Sequence, residues 1–421
     1  MDTPPDVLRV RLLISFDQWW GIIATIALCF AAGFAFLPFR IRFYETFLVL
    51  HIVFVIVALV GCWYHLVPHF GFDYGYQVWL YICFAFWAAD RLARLARIAY
   101  YNRLGGSDAL VEAIPGCDIM QVTVFPRVAR GFGPAQHSFL YLAGLGKFWE
   151  SHPFSVASWK TGSEEAAPST TTASACPSAG DGKVVSVVHS RVDSKSGPSI
   201  RFLIRPHSGI TSRCKHRLAG SSSSSAAKLS VYTEGPYGGH RATLHPLFSA
   251  DTVLCVAGGI GITHVLGFLQ EYYASAKLRG DGGKRRNRGY KAKQRLVLAW
   301  SAKEMHFIEH VRREFLIDVA GSEYLFWCTA PACSGAADLS CRDFSEKGQS
   351  QDGSPERVGA AVVREGRMDI GAVLRACAEP GRQTAVLTCG PGGMADEVTK
   401  QVVSCVKDGL RVDLVEEAFA W

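Results

Sequence analysis

Val253-Leu254-Cys255-Val256-Ala257-Gly258-Gly259-Ile260-Gly261-Ile262-Thr263 decides the fold. Its unbroken apolar run reads as a strand buried on both faces of a parallel sheet. The run enters a glycine turn and then the helical pattern Val265–Tyr273. Strand, turn and helix start form an anion site, because small residues let backbone amides approach a pyrophosphate on the helix dipole. Gly258, Gly259, Gly261, Ile262 and Thr263 are therefore candidate dinucleotide-binding residues. Leu296–Trp300 reads as the next buried strand, and Lys303 lies just past it, where a doubly wound sheet places the group that reads the adenosine ribose. A cation there favours a 2′-phosphate, hence NADPH; a solvated loop lysine is the other reading. Ala385–Thr388 is a further apolar strand, ending in Cys389-Gly390-Pro391-Gly392-Gly393-Met394 and another helix. A cysteine at that strand end would face a nicotinamide.

Upstream the pattern is antiparallel. Ile119–Val124 alternates apolar and polar side chains, as a half-buried strand does. Gly133–His137 reads as a turn, and Ser138–Leu142, Val184–His189 and Ser199–Arg205 as strands. Short strands with turn signals between them predict a small antiparallel barrel over about residues 108–245, followed by the nucleotide domain over 246–421. Residues 161–182, rich in Ser, Thr, Ala and Pro, read as a disordered insert, and Ser221–Ser225 as a second such stretch. Residues 280–293 and 341–357 look like insertions in the nucleotide domain.

Between the barrel strands stands His152-Pro153-Phe154-Ser155-Val156-Ala157-Ser158. A flavin needs an apolar or aromatic platform, a hydroxyl near its reactive edge and backbone amides for its phosphates. Phe154, Ser155 and the amides around Ser158 could supply these. An ordinary turn entering a strand would read the same, so the motif takes its weight from the block that follows it.

The 421 residues allow two or three domains, and 49% are apolar, concentrated in the first hundred positions. The net charge of +7 is modest. Its clusters, Arg91/Arg94/Arg97 and Lys284 to Arg288, lack interleaved aromatics on a regular element, so nucleic acid is not the expected partner. The 13 cysteines are scattered without a C-x-x-C pair, against a disulfide framework or a zinc site. Asp2, Asp6 and two early prolines argue against a signal peptide. Trp19–Phe39, Phe43–Val67 and Tyr76–Ala89, the last extending towards Leu95, are expected to span a membrane within a domain of about residues 1–105. Arg40 and Arg42 fall on the same side as Arg91, Arg94, Arg97 and Arg103. The positive-inside rule then makes that side, and the soluble half, cytosolic.

The second span carries His51 and His65. Fourteen helical residues rise about 21 Å and return to within about 40° of the same face. A stacked pair of haems would explain both positions, since ionisable groups in a span default to function. The other reading is an interfacial His65 with His51 hydrogen-bonded to a neighbouring helix. A bis-histidine haem needs a ligand on a facing helix, and the other two spans carry no histidine.

Taken together, His51/His65, His152–Ser155, Glu234–Gly238, Gly258–Thr263, Cys389–Met394 and the tail with Phe419 and Trp421 resemble the fungal-type ferric reductase and NADPH oxidase superfamily. That family's pattern is a histidine pair on one membrane helix, H-P-F-[ST], E-G-P-Y-G, G-G-x-G-I-T, C-G-P-x-x-M and an aromatic C-terminus. The likeness covers almost the full length. It implies part of a haem-binding helix bundle, then an FAD-binding antiparallel β-barrel and a doubly wound NADPH-binding domain, the ferredoxin reductase-like arrangement. It implies that His152, Pro153, Phe154, Ser155 and Ser158 serve FAD. Gly235, Pro236, Tyr237 and Gly238, with the glycine turn, serve the dinucleotide. Cys389, Gly390, Pro391 and Met394 border the nicotinamide, and Phe419 and Trp421 cover the flavin. Cys389, Ser155 and Trp421 are the residues it places at the chemistry. The family has further membrane helices before these three, one with another histidine pair; missing N-terminal helices or a partner subunit would supply those ligands to haem b.

The expected function is then a plasma-membrane reductase of ferric or cupric chelates serving iron transport. Electrons pass from cytosolic NADPH through FAD, and through haem near His51 and His65, to the outer face. Two rivals stand: an oxidase passing the electrons to oxygen as superoxide, and a haem-free regulatory or assembly subunit.

Overall fold

The computed structural model describes residues 5–103, 105–146, 150–161, 197–207, 209–220, 226–239, 241–280, 294–330 and 362–416. The expected inserts at 161–182, 280–293 and 341–357, the strand Val184–His189, and the tail residues Phe419 and Trp421 lie wholly or almost wholly outside them. The chain divides into two compact units, residues 1–96 and 97–420.

The first unit is helical: α1 (Pro5–Phe34), α2 (Leu37–Arg42), α3 (Tyr44–Phe70) and the first part of α4 (Gln77–Asn102). The first expected span ends earlier than its apolar run, because Pro38 lacks an amide for a continuing helix and instead starts α2. Helices α1 and α3 pack through small residues: Ala24, Ala27 and Ala31 are buried on α1, Ala58 on α3. A methyl group on Gly61 would come 2.9 Å from the Ala24 side chain, so the two helices are in close contact there.

Phe16–Phe34 and Thr46–Phe70 are long and apolar enough to cross a membrane, and they bury only 22% and 11% of those windows inside the protein. Core helices of a soluble protein would bury most of that surface; these turn Ile22, Ile26, Leu28, Val49, Ile52 and Ile56 outward. Helix α4 forms, but Asp90, Arg91 and Arg94 cut its apolar run to about a dozen residues, or ~18 Å, against the ~30 Å of a bilayer core.

The second unit contains two sheets. Strands β1 (Ser107–Ala113), β2 (Met120–Phe125), β3 (Gln136–Leu142), β4 (His152–Ser155), β5 (Ser158–Lys160), β6 (Ser199–Ile204) and β7 (Ala226–Gly238) form one sheet in the order β4-β3-β7-β1-β2-β6-β5, antiparallel throughout. It closes over Val111, Val122, Val124, Leu140, Phe202 and Val231. Helix α5 (Ile210–Ala219) packs on it.

After α6 (Arg241–Ser249) comes a parallel sheet of β8 (Thr252–Gly258), β9 (Arg295–Ala302), β10 (Ser322–Cys328), β11 (Val362–Glu365), β12 (Gln383–Cys389) and β13 (Arg411–Glu416). Helices α7 (Ile262–Gly280), α8 (Met305–Phe315), α9 (Ile370–Cys377) and α10 (Gly392–Lys407) cover it. The order is β11-β10-β9-β8-β12-β13. From β8 the chain moves outward to β9, β10 and β11, then returns to the other side of β8 with β12. That reversal is the switch point where open α/β sheets bind ligands, beyond the carboxyl ends of β8 and β12.

Candidate functional site

At the switch point two glycine turns interlock. Strand β8 runs into a single 3-10 turn, Gly259–Gly261, and then α7. Strand β12 beside it ends at Cys389 and leads into α10. A methyl group on Gly261 would sit 2.3 Å from the Cys389 carbonyl oxygen, so only hydrogen fits between the turns. Gly259 has φ +54 with open space where a side chain would point, which leaves its backbone bare. Its carbonyl is pinned by the buried Trp300, whose Nε1 donates at 3.0 Å. A glycine backbone with no side chain over it, at the start of a nineteen-residue helix, fits a pyrophosphate. Ile262 and Thr263 open that helix, and Thr263 Oγ1 donates to the Ile260 carbonyl at 2.7 Å. Cys389 is 1% exposed and packs into the core of this half; Gly390, Pro391 and Met394 line the same turn. Lys303 is exposed immediately after β9.

The barrel supplies a second surface. Register places Ser155 of β4 opposite His137 of β3, and His137 opposite Tyr237 of β7. The three side chains form a row across the sheet, with Pro153 opposite Phe139 in the next. Ser138, Leu140 and Leu142 point into the barrel, so this row faces outward. The His137 ring lies 5.9 Å from those of Tyr237 and Phe139, and burial holds its pKa below the ordinary value. Phe154 turns the other way and packs against the barrel core, as alternation requires. His152 sits 3.5 Å from Glu150, which also accepts twice from Arg213.

Ser158 and its surroundings differ from the expectation. Val156 N donates to the Gln136 carbonyl at 3.0 Å and Ala157 N to that of Arg201 at 2.9 Å. Trp159 N donates to Gln270 Oε1 at 3.1 Å, and Ser158 Oγ accepts from Arg201 Nε at 2.8 Å. These amides, expected to meet flavin phosphates, are already satisfied within the fold. A different amide cluster stands at the start of α5, whose first turn has no capping side chain. Sequence reasoning missed α5, although its buried Ile210, Cys214 and Leu218 recur every four residues.

The two surfaces are joined by polar contacts. Gln270, on the helix that begins at the glycine turn, donates to the Trp159 carbonyl at 2.7 Å and accepts from its amide. Arg201, bonded to Ser158, lies 4.4 Å from the Phe315 ring and 3.7 Å from Glu314. Arg205 pairs with Glu304 at 2.9 Å, and His310 with Gln121 at 3.1 Å. Near this seam His264, 3% exposed, is pushed down to about 4 by burial, with His137 adding a smaller push.

His264 is therefore neutral in the fold while an unfolded chain takes up its proton near pH 6.5. Stability should hold above that value and fall as the pH drops towards 4, by on the order of 3 kcal/mol in the limit. His264→Gln should flatten this acid limb, read as the change in melting temperature between pH 7 and pH 5. A wild-type and variant with parallel pH dependence would remove His264 as the cause.

In the helical unit His65 Nδ1 donates to the Asp17 carbonyl at 2.8 Å, which leaves Nε2 as the ring's lone-pair nitrogen. His69 Nδ1 lies 2.6 Å from Asp17 Oδ2. His51 packs on Phe47 at 5.5 Å, its Nδ1 buried without a hydrogen-bond partner among the described residues. His51 and His65 would each offer one imidazole nitrogen to a haem iron; α1 and α4 carry no histidine to face them. Among the described residues no group of three or more metal-binding side chains gathers. Among the described residues, half of a bis-histidine set is present.

The family described as Ferric reductase NAD binding domain matches residues 250–403, and Ferric reductase like transmembrane component matches residues 8–62. Ferric reductase transmembrane component 3 of Saccharomyces cerevisiae is 24% identical, over 96% of this chain and 51% of that protein. Ferric/cupric reductase transmembrane component 2 of the same yeast is 26% identical, over 94% and 50%. Ferric/cupric reductase transmembrane component 1 of Candida albicans is 26% identical, over 96% and 47%. The chain spans about half the length of the curated relatives it matches. Among solved structures, a ferredoxin NADP+ reductase from Neisseria gonorrhoeae with bound FAD and NADP covers 74% of this chain and 97% of its own at 10% identity, with a TM-score of 0.42.

Proposed function

The chain is a relative of the fungal ferric reductase transmembrane components, and from that premise we propose that it is the electron-delivering part of an NADPH-dependent reductase of ferric or cupric chelates. One observation carries the reading. The helix that starts at the dinucleotide turn is hydrogen-bonded, through Gln270, to Trp159, four residues beyond Ser155. This tie between the helix after the glycine turn and the strand after Ser155 supports a dinucleotide and a flavin bound side by side.

The bare backbone of Gly259 and the first amides of α7 would bind the pyrophosphate of NADPH, with Lys303 beside the 2′-phosphate. Ser155 and His137, with Pro153 and Phe139 in the next row, would seat FAD, and Tyr237, which the resemblance gives to the dinucleotide, would join them because register puts it in the same row. FAD bound there would supply the conversion of a hydride pair into single electrons. The residues hold the two rings in register, and the polar seam of Arg201, Arg205 and Gln270 keeps the halves from drifting apart. The turn at Cys389 closes the nicotinamide side, and its buried thiol excludes water. The plasma membrane, with the second unit in the cytosol, is the setting we assign; Arg40 and Arg42 after α1 support that orientation.

The test uses the full chain in lipid nanodiscs, supplied with FAD. NADPH should bleach the flavin absorbance, and a ferric chelate added afterwards should restore it with formation of ferrous iron. A folded chain that fails to retain FAD, or whose flavin is untouched by NADPH, overturns the proposal.

A further inference from the structure

The Glu234–Gly238 segment of β7 is fastened by residues far from it in sequence. Asn102, fully buried at the end of α4, accepts from the Thr233 amide at 2.9 Å and donates to its carbonyl at 2.9 Å, standing in for a neighbouring strand. Arg130 donates to Thr233 Oγ1 at 2.6 Å and to the Gly235 carbonyl at 3.1 Å, with its guanidinium 4.4 Å from the Tyr101 ring. Glu234 is 1% exposed, and its two carboxylate oxygens accept from Tyr237 Oη at 2.6 Å and Tyr141 Oη at 2.7 Å. One turn before Tyr101 on α4, Arg97 donates to Tyr237 Oη at 3.1 Å and lies 5.5 Å from the centre of its ring.

This chain of bonds has a direction. The single hydroxyl proton of Tyr237 is committed to Glu234, so the oxygen can only accept from another group. Arg97 is suited to that place, since its guanidinium carries donors and a fixed charge and never accepts. With its hydroxyl held from two sides, the Tyr237 ring has one orientation, beside His137 and in the row that ends at Ser155. We propose that Arg97 is a positioning residue of the flavin site, acting through the Tyr237 hydroxyl. This rests on the flavin reading above. It gives Arg97 a task beyond that of a basic residue flanking a membrane segment. Arg91, by contrast, pairs with Asp90, its neighbour on the same helix.

The experiment compares wild type, Arg97→Gln, Arg97→Lys, Tyr237→Phe and Arg97→Gln/Tyr237→Phe in nanodiscs. It measures the FAD dissociation constant by flavin fluorescence, the flavin visible spectrum, and amide hydrogen exchange over residues 233–238. Arg97→Gln should raise the FAD dissociation constant about 5- to 20-fold and shift the flavin bands, as loss of one charge-assisted bond predicts. Arg97→Lys, which keeps a donor and a charge, should recover part of the loss. Acting through one hydroxyl, the double variant should be no worse than the worse single variant. Additive losses, or unchanged FAD affinity in Arg97→Gln, overturn the proposal. Hydrogen exchange keeps the two readings apart. A wild type that binds no FAD sinks the flavin reading, while unchanged exchange in Arg97→Gln sinks the clamp whether or not flavin binds.

Discussion

Gly261→Val is expected to abolish NADPH-dependent flavin reduction, with a loss of at least 100-fold, and to lower the melting temperature of the second unit. Two effects combine. A side chain at this position stands between the amides of the turn and the pyrophosphate they approach. It also meets the neighbouring turn, since even a first methyl group would be 2.3 Å from the Cys389 carbonyl oxygen and 2.8 Å from its carbon. Both atoms belong to backbone that cannot swing aside as a side chain can. Relief requires β8 and β12 to part at their carboxyl ends, an overpacking cost of about 1–3 kcal/mol or more. A shift of ~1 Å in the bound ring is enough for a 100-fold loss of rate. The measurement is flavin bleaching by NADPH, paired with a melt of the same preparation. A valine variant with wild-type bleaching would show that no dinucleotide lies on this turn.

The second large effect concerns cofactor choice. Lys303→Glu should raise the NADPH concentration needed for half-maximal flavin reduction about 10- to 100-fold, while the NADH requirement changes little. The position is set by topology: β9 follows β8 in the sheet, and the residue just past its end lies where such sheets read the adenosine ribose. Reversing the charge there repels a 2′-phosphate and leaves a 2′-hydroxyl almost indifferent. The Cys328 thiol donates to the Lys303 carbonyl at 3.5 Å, so the backbone has a fixed neighbour and the substitution changes mainly charge. Equal increases for both nucleotides would remove Lys303 from the site.

Much of the second unit was readable because its signals are local. The apolar runs of β8, β9 and β12 are buried along most or all of their length, as a parallel sheet covered by helices on both faces demands. The glycine turns follow β8 and β12 directly and lead into α7 and α10. The membrane half was less legible. A hydropathy run does not show where a proline divides it, nor how far charges shorten it, so α1 ends early and the apolar run of α4 is short. Around Ser158 the amides are bonded within the fold, and no local pattern shows this, because whether an amide is available depends on what folds against it. Arg201, Gln136 and Gln270 reach that point from distant segments.

What the sequence by itself determined was the change from antiparallel to parallel strand patterns and the glycine turns after β8 and β12, since each rests on periodicity or on a turn a few residues long. Only the tertiary structure decided which of those groups share a seam and what holds them there. Tyr237 lies 140 residues from Arg97, and Asn102 lies 131 from Thr233. No pattern within either stretch specifies such a pair, because the contact forms when the register of the barrel strands and the docking of α4 bring the two backbones together.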